Sequence, residues 1–441
     1  MRTRLLFTLG IFSAFGLVGC GTSTVVGVGD GDGGHADAGP GNRDAGPADG
    51  GPDAHDAGPE DAGPLDAGPL DAGPEDAGFV DGGCFAPGDP DGLRWVVVSH
   101  PYLPDAGRSP DYEVLALSPS GELAKAGARF QMRRSSVGHI AFTPDGRFGF
   151  APQEDGTIGE FELFEDGGVQ VLDDGFGGFY ARAVTISADG FRGYVNDPDT
   201  LANGGGVYAF DVACDGTLGS PALQGSFNTP DALAFLHGST DRAVVAGGAA
   251  LGSADSDDVH LVDFGAGGPG ALGSAVVFLD GGAIPSAVAV TEDDAYALVA
   301  DDGIFAGNRI GVVRIEDGGL TPVDVLGTPN PADVATSPFG NAALILNSDG
   351  TDGITILGYD PANVATPFTL QGQIDYVAPY PQLPAEAAVI RRGALTGRVL
   401  IGELSGVRQV QFERDGGVTD LSVDNGNGSF EGIVGAMGVQ P

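Results

Sequence analysis

From about residue 93 onward, short apolar runs alternate with polar turns, and the alternation repeats. SVGHIAFTPDGRFGFAPQ, YARAVTISADGFRGYVND, TPDALAFLHGSTDRAVVAG, IPSAVAVTEDDAYALVAD and NPADVATSPFGNAALILNSD each join an apolar run, a turn rich in Asp and Gly, and a second alternating run. Period-two alternation on both sides of a tight turn predicts a β-hairpin. A second hairpin follows in each unit, as in GEFELFEDGGVQVL, VYAFDVACDGTLGSP, GVVRIEDGGLTPV and QVQFERDGGVTDL, where Asp-Gly or Gly-Gly permits the positive φ of the turn. Anchored on Ile140, Val184, Leu233, Val288, Val334, Val377 and Ile433, the units step by 44, 49, 55, 46, 43 and 56 residues. Four strands at a period near 40 to 50 residues predict the blades of a β-propeller.

The two ends of this region are incomplete in complementary ways. LRWVVVSH, YEVLALS and ELAKAGARF read as strands two, three and four of a unit without an opening strand, whereas Phe430 to Gln440 (FEGIVGAMGVQ) reads as an opening strand with no unit behind it. Pairing them completes a seventh blade and leaves no interior edge unpaired. The expected fold is therefore all-β: a seven-bladed propeller of four-stranded blades over residues 93–441, closed by the C-terminal strand on the N-terminal blade. The unit from Gln373 to Gly428 matches least well, because Pro-bearing stretches interrupt its start.

The first 92 residues follow other rules. Arg2 and Arg4 precede an apolar run from Leu5 to Val18, too short for a comfortable bilayer span and laid out like a secretory signal. Leu17-Val18-Gly19-Cys20 resembles the lipobox of bacterial lipoproteins. The resemblance implies a signal peptide over 1–19, cleavage before Cys20 and acylation of that residue, and multiple acyl chains hold a protein on a membrane stably. Gly21 after the Cys favours, by the same resemblance, an outer-membrane lipoprotein facing the periplasm or the cell surface. Residues 20–92 are dominated by Asp, Ala, Gly and Pro, with DAGPEDAGPLDAGPLDAGPEDAG as the clearest repeat. Such a segment buries too little apolar surface to offset the entropy of ordering, which predicts a disordered tether. Its glycine interval of five excludes a collagen helix.

Charge narrows the partners. The chain carries 20 Lys and Arg against 61 Asp and Glu, for a net charge of −41, of which −28 falls on residues 93–441. So acidic a body disfavours nucleic acid and anionic lipid heads as partners and favours cations or basic partners. With Cys20 assigned to lipid, Cys84 and Cys214 are the remaining thiols, and an exported protein permits a disulfide between them. No Cys and His spacing suits zinc, no Ser sits in a nucleophile elbow, and GVGDGDGG lacks the strand and helix of a phosphate loop.

Chemistry is expected at one mouth of the channel, where the loops between strands two and three meet the entries to strand one. The first set supplies His100, Glu154, Asn196, Asp197, Asp301, Asp302, Asn347 and Asp349. The second supplies His139, Arg182, Asp231, Ser286, Asp333 and Glu431. Imidazole among carboxylates suits acid and base work, or a site for Ca2+ or another divalent metal, while polar strand caps of no chemical role are the plainer reading.

HIAFTPDGRF, VYAFDVACDGTL and NPADVATSPFG resemble the lactonase-like and surface-repeat seven-bladed propellers, a group that includes bacterial phosphogluconolactonases. The likeness spans about residues 93–441. It implies that His139 and Glu154 match positions lining a lactone site, although Gly138 stands where those enzymes place an Arg, a gap that Arg182 on the next blade is placed to fill. The expectation is a monomeric lipoprotein propeller that binds an envelope component or extracellular ligand without catalysis. A lactonase-like hydrolase using His139, Glu154 and Arg182 is the alternative, and a structural envelope protein the third reading.

Overall fold

The computed structural model describes residues 83–103, 107–199, 205–227, 230–247, 259–265, 270–275, 277, 285–301, 308–348, 353–375, 384–404, 406–421 and 433–441. These residues form 28 strands in seven antiparallel sheets of four. No helix among them is long and apolar enough to cross a membrane. Asp302, Asp349, Glu431 and Cys20 lie outside the described residues.

Blades 2 to 7 each run in chain order. Their inner strands are Ala141–Phe142, Ala183–Ile186, Pro230–Phe235, Pro285–Val290, Pro331–Thr336 and Glu386–Val389. Blade 1 is composite: the C-terminal strand Ala436–Val439 pairs antiparallel with Arg94–Leu103, matching Val96 to Val439 and Ser99 to Ala436. Gly107–Leu117 and Leu123–Gln131 complete it.

Apolar side chains on alternate faces of each blade make seven separate clusters, one at every junction between neighbours. The cluster between blades 7 and 1 holds Val96, Val98, Leu115 and Met437 against Leu400 and Val407, so the junction that closes the ring is packed like the others. An aromatic residue on a third strand sits over a glycine on the second in two blades: a Cβ on Gly149 would strike Phe161, and one on Gly193 would strike Phe210.

The inner hairpin turns explain their own sequence. In TPDG and SADG the hydroxyl of Thr143 or Ser187 donates to the Asp two residues on, at 2.6 Å in each case, and accepts the amide of Phe148 or Arg192. Gly146 and Gly190 then take positive φ. Blade 5 places Asp294 at the corresponding position, with φ of 55°.

Three boundaries differ from the pattern in the sequence. The seventh blade opens at Glu386–Val389, with Ala387 opposite Ile401, and not at Val377, which lies outside the described residues. Pro379 and Pro381 follow Val377 and remove ladder donors there. The closing strand is likewise centred on Met437 rather than Ile433. At the other end, residues 83–92, which composition assigns to the tether, pack on the propeller. Cys84 is bonded to Cys214 with Cα atoms 5.5 Å apart, and Phe85 is buried against Phe148 and Phe191.

Two outcomes follow from this packing. Phe210→Ala, which empties the space over Gly193, is expected to cost about 3 to 5 kcal/mol in chemical denaturation. Removal of residues 434–441 uncovers the blade 1 and blade 7 faces together, and differential scanning calorimetry is expected to show loss of the single cooperative transition.

Candidate functional site

Counting back four residues from the start of each inner hairpin turn, at Thr143, Ser187, Leu236, Thr291, Ser337 and Ile390, places one residue in or just before each inner strand at the same height at the mouth, and pairing of the closing strand with Ser99 supplies the seventh. In blades 1, 3, 4 and 5 it is Ala436, Ala183, Ala232 and Ala287; in blades 6 and 7 it is Asp333 and Glu386. In blade 2 it is His139, immediately before buried Ile140. Alanine at four of seven positions leaves room for the imidazole to reach over the channel. His139 Nδ1 lies 3.5 Å from Glu386 Oε1, and Nε2 lies 3.6 Å from Asp333 Oδ2.

The carboxylates are themselves held by backbone. Glu386 Oε2 accepts the Met437 amide at 2.9 Å, and Asp333 Oδ2 accepts the Ala387 amide at 2.8 Å. One imidazole with its two partners therefore links blades 1, 2, 6 and 7. Asp333 and Glu386 are 8% and 7% exposed, while 46% of the His139 side chain remains reachable from the mouth. Encirclement by protein opposes a charge on that ring, but Glu386, Asp333 and the Met437 carbonyl outweigh it and raise His139 to about 9. Burial pushes Glu386 up, and Asp333 adds to it; His139, the Met437 amide and Arg182 pull back, leaving Glu386 at about 7.

Arg182 enters blade 3 beside this cluster. Its Nε is 4.0 Å from Asp231 Oδ1 on blade 4, and its amide donates to the Asn196 carbonyl at 2.9 Å. A Cβ on Gly138 would come within 2.7 Å of the Arg182 carbonyl oxygen, so the close approach of blades 2 and 3 excludes a side chain at Gly138. Two residues before Arg182, Tyr180 lies against Gly156, donates its hydroxyl to the Glu154 carbonyl and stays 40% exposed.

The other candidates separate from this cluster. Asp197, Asp301 and Asn347 end second strands, His100 lies three residues before the end of its own, and all four are at most 1% exposed. His100 lies between the Ile433 carbonyl and Glu113 Oε2, at 3.1 and 3.3 Å. Burial works against the Glu113 charge, but hydrogen bonds from His100 and Arg129 prevail and lower Glu113 to about 2. Asp197 accepts the Asp199 amide, Asp301 binds Arg309 at 2.8 Å, and Asn347 bonds Thr328 and Thr355. Gln153 and Glu403 occupy the same place in blades 2 and 7 and are bonded in the same local way. These residues tie loops to their own or the adjoining strands. Asn196, fully buried, and the partly buried Ser286 each hold side-chain polar atoms without a hydrogen bond. Glu154 is partly exposed on the rim, where its amide donates to Ser135. Among the described residues no group of three His, Cys, Asp or Glu has the arrangement to hold a metal ion.

Glu386 is not among the residues that the repeats place at the mouth, because the run through Val377 has the apolar pattern of a blade opening. Its signal in the chain is the repeat of the blade 6 PADVAT as PAEAAV, with an acid two residues after a proline.

Neither a family model nor a curated protein matches the chain. Solved structures do. A Bacteroides fragilis protein provisionally assigned as a 6-phosphogluconolactonase superposes with a TM-score of 0.57 at 14% identity, covering 80% of this chain and 99% of its own. The chain shares the fold of these propellers. The periplasmic gluconolactonase of Pseudomonas aeruginosa gives 0.54 at 17% identity, covering 74% and 94%. A protein of unknown function from Desulfotomaculum acetoxidans gives 0.52 at 16%, covering 76% and 97%.

The mouth cluster makes stability depend on pH. His139 rises from 6.5 to about 9 on folding, so its contribution is complete below pH 6.5 and is lost as pH climbs through 9. Glu386 rises from 4.5 to about 7, so it too favours the folded state less as pH rises, over a lower window. The melting temperature is expected to fall between pH 6.5 and 9, and thermal shift across that range should show a flatter profile for His139→Gln. An equal slope in both proteins would remove His139 as the source.

Proposed function

We propose that this protein is an exported, lipid-anchored propeller that binds a small polyhydroxylated ligand at the mouth around His139. Cys20 carries the anchor, residues after it form the tether, and the body stands at the outer membrane, facing the periplasm or the cell surface. The observation that carries the reading is the charge balance of the mouth. On a body of strongly acidic composition, His139 pairs with Glu386 and Asp333 at 3.5 and 3.6 Å, and Arg182 pairs with Asp231 at 4.0 Å. Alternating donors and acceptors in near-neutral balance suit neighbouring hydroxyl groups better than a phosphate or a polyanion. Tyr180 adds an exposed ring on which the apolar face of a cyclic ligand can rest.

A lactone hydrolase is the second reading, and the placement of Glu386 favours it. A carboxyl that exchanges its proton near neutrality is matched to taking a proton from attacking water, with His139 and Arg182 on the cationic side of the mouth to meet the developing oxyanion. The likeness to gluconolactonase structures supports the same reading.

Calorimetric titration of the full chain with neutral sugars, sugar acids and sugar lactones, with and without Ca2+, separates these readings when paired with pH-stat measurement of lactone opening. Binding of a neutral polyol without turnover, weakened at least tenfold in Arg182→Ala and Tyr180→Ala, is the expected result. Turnover abolished by Glu386→Gln would establish the hydrolase instead. Affinities unchanged in every mouth variant would remove the mouth as the site.

A further inference from the structure

Blade 1 differs from the others in lacking a turn between its first two strands, because its first strand is the C-terminus and its second begins at Arg94. The chain reaches that strand by a strap, residues 84–93, laid over the face opposite the mouth. Cys84 is bonded to Cys214 in the outer hairpin turn of blade 3, and Phe85 packs between blades 2 and 3. Gly88 passes the Asp145 carbonyl of the blade 2 turn. Asp91 Oδ1 then accepts the Ala394 amide of blade 7 at 2.6 Å. The strap thus runs sideways across the ring and not along the axis of the strand it feeds.

We propose that this strap and its disulfide are a mechanical clamp, which delivers tension from the N-terminal segment to blade 3 and keeps it off the ring closure. Without the disulfide, a pull on residue 84 would travel sideways along the strap and reach the end of Arg94–Leu103, which is held by four residue pairs to the C-terminal strand on one side and nine to Gly107–Leu117 on the other. Peeling loads such a ladder one pair at a time. With the disulfide, the same pull divides at Cys84, and the covalent branch to Cys214 relieves residues 85–93 of the larger share. The clamp is independent of what the mouth binds, and it gives the tether a point of attachment away from the seam.

Optical tweezers test this with one handle on an enzymatic ligation tag inserted in the segment between Cys20 and Cys84 and the other on a thiol introduced by Val325→Cys, at an exposed outer-strand position of blade 5. The clamped protein is expected to lengthen first only when blade 3 or the whole ring gives way. In Cys84→Ser/Cys214→Ser, an earlier event at lower force is expected, releasing the strap and then Arg94–Leu103, roughly 70 Å for about twenty residues. Early release of that length in the disulfide-bonded protein would overturn the proposal. So would a serine variant that ruptures in one step, because a lower force without a new step marks general destabilisation and not a changed load path.

Discussion

The ring depends on how two chain ends are joined without a covalent turn. Arg94, 3% exposed, donates to the carbonyls of Gln440, Pro90 and Arg392, gathering the C-terminus, the strap and blade 7 around one guanidinium. Gln440 answers it: its side chain accepts the Trp95 amide and donates to the Gly146 carbonyl, while its own amide donates to the Trp95 carbonyl. Hydrogen bonds to a buried charge are stronger than neutral ones, and losing one partner strands the other. A hairpin turn elsewhere in the ring does by connectivity what this cluster does by polar contact.

The mouth inherits its geometry from that seam. Glu386 is oriented by the Met437 amide, which lies on the closing strand, and His139 is oriented in turn by Glu386. The opposite end of the inner strands has its own cross-ring link, in which Arg391 of blade 7 binds Glu292 of blade 5 at 2.7 Å and the Thr336 hydroxyl of blade 6 at 3.1 Å. Charged groups at both ends of the inner strands hold blades that are not neighbours in sequence.

Much of the fold was legible in the chain because blade hairpins obey period-two alternation, and their turns need Asp, Ser or Thr, and Gly at set places. The closure of the ring was legible for the same reason, since strands without partners at the two ends complement each other. Blade 7 was harder to place: the run ending at Val377 has the composition of a strand, and only the prolines after it argue otherwise. The site was legible in part. His139, Arg182, Asp231 and Asp333 lie at entries to inner strands, as the repeats imply. His100, Asp301 and Asn347 were recognisable as polar strand ends, but their partners Glu113, Arg309 and Thr328 are fixed by sheet register and side-chain reach. No local pattern announces that an imidazole on blade 2 will meet carboxylates on blades 6 and 7.

The alanines at the mouth have a further consequence. Ala183, Ala232, Ala287 and Ala436 occupy the same height as the three ionisable residues, and each contributes only a methyl group there. Ala183 and Ala436 lie outside the apolar clusters between blades, while Ala287 belongs to the cluster between blades 5 and 6 and Ala232 packs against the one between blades 4 and 5, and the larger side chains of those clusters come from other positions. A scaffold arranged this way can exchange what it recognises by altering single residues along the rim, since the large apolar side chains that hold the vanes together are encoded elsewhere. Diversification of specificity and preservation of architecture thus draw on largely separate sets of codons.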